Sequence, residues 1–313
     1  MIETVLGPVE SLPPGAVDAH AHIWLDGVEG ADPAATFVLS DEAGIAADLH
    51  AFRSAGGAAA VDSQPGGAGR NLGALARLAE QSGVAIVAST GFHLRQYHAA
   101  GHPLNPWEAS PRDARARFER ELEDGLAVAG RSRPVRAGII KTASPGRLDD
   151  PAFLPLLRAA LAASDATGAF VQVHTERGAG VEELAAIVER SGVPPERVML
   201  CHMDKRPDAS LHSMLAERGY LLEYDTFLRP KYDPENGVWP LLEEMLSRGH
   251  DRSVACALDL ADSTMWAHRG APLGLAALPT AIAARLRRLG ASAETTARLT
   301  GGNVAERLDW RAA

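Results

Sequence analysis

Eight times along the chain, a short run rich in Val, Ile or Ala gives way to a longer segment whose apolar residues recur with helical spacing. The short runs are 16–20, 57–62, 84–90, 136–142, 169–175, 197–202, 220–225 and 253–259. Runs of this length and composition predict buried strands. The segments between them, such as 41–56, 71–83, 113–130 and 275–290, predict amphipathic helices, many closed by a glycine. Eight strand-then-helix units predict a closed parallel (β/α)8 TIM barrel rather than an open sheet. A short element before the first run and a helix around 292–308 are expected additions. No linker or low-complexity tract divides the 313 residues, so one domain over 1–313 is expected.

Composition narrows the function classes. Hydrophobic residues make up 46%, ample for a large core, and the net charge of −9 argues against nucleic acid or an anionic membrane as partner. No apolar run is long enough to cross a bilayer, and the opening "MIETVLGPVESLPPG" lacks the basic-then-apolar pattern of a signal peptide. Cys201 and Cys256 lie in apolar runs and read as small buried hydrophobes, so a reducing, cytoplasmic setting is expected. The expected partners are a small-molecule substrate and, at most, a second copy in a homodimer.

The unusual polar residues collect where the predicted strands end. In a barrel those ends share one face, and the loops leaving it build the active site. His20 and His22 close the first run, two residues apart and therefore on one side. Lys141 ends the fourth, His174 the fifth, His202 the sixth and Asp259 the eighth. Four imidazoles, a carboxylate and a lysine in one mouth suit divalent transition metals. The lysine stands out for a second reason. The 31 basic residues include only three lysines, Lys141, Lys205 and Lys231, so arginine serves wherever a cation alone is wanted. A lysine kept at a buried strand end points to an amine that can lose its proton and react.

These residues carry a resemblance to the phosphotriesterase-like family of the amidohydrolase superfamily. "DAHAHIWL" matches its first-strand metal motif, and "GIIKTAS", "VQVHTERG", "LCHMDKRPD", "EYDTFLRPKY" and "LTGGNVAERL" follow in family order. The resemblance implies a binuclear centre in which Lys141, carboxylated by carbon dioxide, bridges two metal ions. It implies His20, His22 and Asp259 on one ion, and His174 and His202 on the other. Zinc is the default, with manganese, iron or cobalt as alternatives. A water shared by two such ions would be a hydroxide near neutral pH, and Asp259 is the expected general base.

"CHMDKRPD" and "RPKY" resemble the sugar-lactonase branch of the family, whose members act on phosphorylated lactones. In that branch a lysine at the position of Lys231, with an arginine and a tyrosine after the eighth-strand aspartate, is suited to phosphate. Here Asp262 and Met265 replace the latter two, and Asp262 is expected to pair with Lys231. The phosphotriesterases proper carry a histidine where this chain has Thr226, so their proton relay does not carry over. The expected activity is hydrolysis of a carboxylic ester, a lactone first. An amide or cyclic imide comes next and a phosphotriester after that. A barrel that binds a metal-chelating ligand without turning it over is the alternative of a different class. Candidate pocket residues are His93, Lys205, Lys231, Asp262, Met265 and Trp266; His98 and His102 receive no role.

Overall fold

The computed structural model describes residues 1–34 and 37–310. A short antiparallel hairpin, β1 (Ile2–Thr4) and β2 (Gly7–Val9), precedes an eight-stranded parallel sheet. Its strands are β3 (Ala16–Ala21), β4 (Gly57–Asp62), β5 (Ala85–Gly91), β6 (Ile139–Ala143), β7 (Phe170–His174), β8 (Val198–Cys201), β9 (Leu221–Tyr224) and β10 (Val254–Cys256). Each pairs with the next in chain order, which is the barrel topology the eight runs predict. Between them lie α1 (Glu42–Ser54), α2 (Leu72–Ser82), α3 (Pro111–Glu123), α4 (Phe153–Thr167), α5 (Val181–Ser191), α6 (Ala209–Glu217) and α7 (Val238–Ser247).

The two faces of the strands follow the period of two. Val87, Ile139, Phe170, Leu221 and Ala255 belong to one buried cluster inside the barrel. Ile86, Ile140, Val171, Leu222 and Val254 pack instead into a larger cluster with the helices. The inward face therefore continues through Lys141, Gln172, His174 and Glu223 towards the strand ends. Polar groups bridge the first and last strands at that mouth. The Asp259 N–H donates to the His20 carbonyl at 2.9 Å, and Asp18 Oδ1 accepts from His20 N at 3.1 Å and from Leu258 N at 3.3 Å. Barrel closure and site geometry are thus one arrangement.

Two helical expectations need correction. The segment 113–130 is helical only to Glu123, because Gly125 takes φ 75° and a Cβ there would lie 2.7 Å from the Val135 carbonyl. Leu126 then pairs with Val135 in an isolated bridge. The segment 275–290 is not one α-helix. A 3-10 turn (Gly274–Ala277) and a π turn (Leu278–Ile282) precede α8 (Ala283–Arg288), with Pro279 lacking the N–H a regular helix would use. The C-terminal addition is likewise α9 (Ala293–Ala297), a π turn and α10 (Asn303–Leu308).

Candidate metal centre

His20 lies where β3 slips register against β4, between Asp18 and Ala21, and His22 follows the strand's last residue. Each imidazole is oriented through its outer nitrogen. Nδ1 of His20 meets both oxygens of Glu223 at 3.0 Å, and Nδ1 of His22 meets Gln64 Oε1 at 2.7 Å. Their Nε2 atoms face Asp259 Oδ1 at 3.8 and 3.6 Å. His20, His22 and Asp259 thus form a compact group of donors of the kind that holds a divalent ion.

The second group is built from β7 and the end of β8. His202 donates from Nδ1 to Asp225, and His174 Nε2 lies 3.4 Å from Glu176. With their outer nitrogens turned to carboxylates, the inner nitrogens, His202 Nε2 and His174 Nδ1, face each other at 2.9 Å. Two imidazole nitrogens converging in this way, each oriented by an outer carboxylate, make a donor set that fits a divalent ion. His202 and Asp259 both hold positive φ, 63° and 44°, conformations that non-glycine residues adopt at a cost.

Lys141 sits between the groups. Its side chain is fully buried, its Nζ lies 3.0 Å from His20 Nε2, and no carboxylate pairs with it among the described residues. Gly91 of the neighbouring strand, at φ 104°, lets the backbones meet: a Cβ there would lie 1.8 Å from the Lys141 carbonyl.

The electrostatics suit metal ligation. Burial, with Lys141 next, pushes the His20 imidazole well below its usual range, so it is neutral. Burial, then the Glu176 hydrogen bond acting the other way and the His202 charge, leaves His174 at about 4. Burial pushes Asp259 up, but His20, the His22 hydrogen bond, His202 and Arg229 outweigh it and hold the carboxyl well below the ordinary range. Arg229 donates from Nη2 to Asp259 Oδ2 at 2.8 Å and also to its carbonyl.

The remaining candidates divide between two cavities. One of about 210 Å³ is lined by His20, His22, His174, His202, Asp259, His93, Lys205 and Tyr97, among others. There Lys205 Nζ reaches Asp225 Oδ1 at 3.4 Å and Asp259 Oδ2 at 3.9 Å. Lys231, Asp262 and Met265 line a separate cavity of about 690 Å³ with Arg229, Leu228 and Leu273. The expected Asp262–Lys231 pair is replaced by a turn cap, because Asp262 Oδ1 accepts from Thr264 N and Oγ1, each at 2.8 Å. Trp266 lines neither cavity. It is fully buried, with Nε1 donating to the Leu260 carbonyl at 3.3 Å.

Glu223, Asp225, Gln64 and Arg229 join the centre without having been singled out as its parts from the sequence. Two of them carried a signal. In "YLLEYD" the acids stand two apart in an otherwise apolar strand, the spacing of two carboxylates facing one way.

Comparison with known proteins identifies the family and the fold. The model of the phosphotriesterase family matches residues 1–303. A phospho-furanose lactonase of Mycoplasmopsis synoviae is 26% identical over 82% of this chain and 75% of its own. A phosphotriesterase homology protein of Mycobacterium tuberculosis is 28% identical over 82% and 80%. The crystal structure of a lactonase from Listeria monocytogenes superposes with a TM-score of 0.87 over 99% of both chains, at 22% identity, a likeness of fold. The chain belongs to the phosphotriesterase family and is a metal-dependent hydrolase.

Proposed function

We propose that the chain hydrolyses an unphosphorylated carboxylic ester, a lactone first, at two divalent ions. His20, His22 and Asp259 would hold one ion and His174 and His202 the other, with Lys141, carboxylated by carbon dioxide, as a ligand shared between them. Zinc is the default occupant; manganese, iron and cobalt suit the same nitrogen and oxygen donors. The observation that carries this reading is Lys141, a fully buried amine with no carboxylate partner among the described residues. The neutral amine adds carbon dioxide with release of a proton, and the resulting carbamate is an anion that two dications could share. Arginine cannot be carboxylated, which accounts for lysine at this position.

When bound, the metal pair supplies Lewis acidity, acidifying a water and polarising the substrate carbonyl. Asp259 accepts the proton released as water oxygen bonds to the carbonyl carbon. It returns that proton to the leaving alkoxide as the acyl C–O bond breaks, giving a hydroxy acid from a lactone. Arg229, bonded to Oδ2 and to the backbone carbonyl, orients the carboxylate on a backbone held at φ 44°. Lys205 supplies a cation to the wall of the same cavity.

The relatives named phospho-furanose lactonase support a lactone. The larger cavity supports one without phosphate. Its Arg229 is engaged by Asp259, and Asp262 places a carboxylate beside Lys231 where the branch would have arginine. A lost charge-assisted hydrogen bond costs about 1.5–3 kcal/mol, roughly tenfold to a hundredfold in affinity, before repulsion is added. Competition between matched lactones tests this. The unphosphorylated member is expected to have the higher kcat/KM, and Asp262→Arg with Met265→Tyr should move preference towards phosphate. A wild-type preference for the phosphorylated member would overturn the substrate assignment.

A further inference from the structure

His93 follows β5 and lines the smaller cavity, 6% exposed, but contributes to neither ligand group. The N–H of Leu94 donates to its Nδ1 at 2.8 Å, so that nitrogen presents a lone pair. A neutral imidazole with its lone pair at Nδ1 carries the proton on Nε2. Nε2 has no hydrogen-bond partner among the described residues. The ring lines the cavity, so its Nε2–H is free to bond whatever enters there.

The ring is also held in place. Tyr97 meets it nearly edge-on at 4.3 Å and 73°, Trp107 Nε1 donates to the His93 carbonyl at 2.9 Å, and the His93 N–H donates to His98 Nε2 at 3.2 Å. Its centroid lies 5.2 Å from that of His174 and 6.5 Å from that of His22, beside both ligand groups. Ligation through Nε2 would move the proton to Nδ1, and two hydrogens would then face each other across the 2.8 Å contact with Leu94.

We propose that His93 is a catalytic residue that contacts substrate as a fixed neutral donor. Its Nε2–H bonds an oxygen of the substrate as negative charge builds on the tetrahedral adduct, and it serves neither as metal ligand nor as base. The role rests on the hydrolase reading of the site. Such a donor is set in position before reaction, which makes it effective in a cavity shielded from water.

Two measurements on the dizinc holoenzyme test the role without a known substrate. Nitrogen-15 NMR of labelled histidines near neutral pH should find His93 protonated at Nε2 and bare at Nδ1. Inorganic phosphate then serves as the oxyanion probe in calorimetric titrations. The His93 Nε2 resonance should move on phosphate addition, and His93→Leu should weaken phosphate binding roughly tenfold or more. His93→Gln, whose amide keeps a donor, should recover most of the loss, and both variants should keep the wild-type metal count. An Nδ1-protonated His93, loss of metal in the folded leucine variant, or phosphate binding that is absent or insensitive to His93→Leu would each overturn the proposal. If the leucine variant does not fold, the tautomer and the glutamine variant decide. Should these results hold while no ester is turned over, only the reaction assigned above falls.

Discussion

Lys141 concentrates the chemistry of this chain into one side chain. Fully buried beside the neutral imidazole of His20, it has no carboxylate partner among the described residues. The guanidinium of arginine would bring a permanent charge without the means to become an anion. Lys141→Arg is therefore expected to lose turnover as completely as Lys141→Ala, whereas short carboxylic acids added with metal should partly rescue the alanine variant alone. Turnover at wild-type level in the arginine variant would contradict the carbamate. The six ligand candidates were legible because each is a polar residue at the end of an apolar run. Their supports were not. Whether Glu223 reaches His20, or Gln64 reaches His22, depends on register between strands far apart in sequence. Lys231, Asp262, Met265 and Trp266 were expected to line the substrate pocket; the first three line a second cavity next to it, and the apolar bulk of Trp266 takes it into the core.

At the scale of the element, the site depends on how closely strands approach. Gly91 ends β5 at φ 104°, and Phe92 N donates to the Lys141 carbonyl at 2.8 Å. A methyl group at this position has no room without moving β6 and, with it, the lysine. Gly91→Ala should lower stability by about 2 kcal/mol or more and reduce metal occupancy, since strain and displacement act together. Thermal denaturation with elemental analysis checks both; a variant with wild-type melting temperature and metal content would show that β6 does not need this contact. Strand positions were readable because eight short runs leave little freedom. Helix ends were less so. In "ELEDGLAVAG" the apolar spacing continues, but a left-handed glycine against the Val135 carbonyl ends α3. The π turns near Pro279 and Gly301 likewise reflect packing; a Cβ on Gly301 would lie 2.4 Å from Val17 N of β3.

Across the whole molecule, closing the barrel at its catalytic mouth leaves several groups buried away from it. His212, on α6, pairs through Nδ1 with the Tyr224 hydroxyl at 2.7 Å, and burial lowers it from 6.5 to about 4. Between those values the unfolded chain binds the extra proton and the folded one does not. His212 therefore contributes stability that is present above about 6.5 and lost as pH falls towards about 4. Wild-type melting temperature should fall more steeply through that window than that of His212→Gln; parallel curves would refute the assignment. One buried lysine and five strand-end residues are expected together to make a two-metal hydrolase. Elemental analysis of enzyme purified without chelator, beside Lys141→Ala prepared identically, tests it most directly. Two divalent ions per wild-type chain and at most one in the variant are expected. A single ion, or none, in wild-type enzyme that hydrolyses a lactone would contradict it.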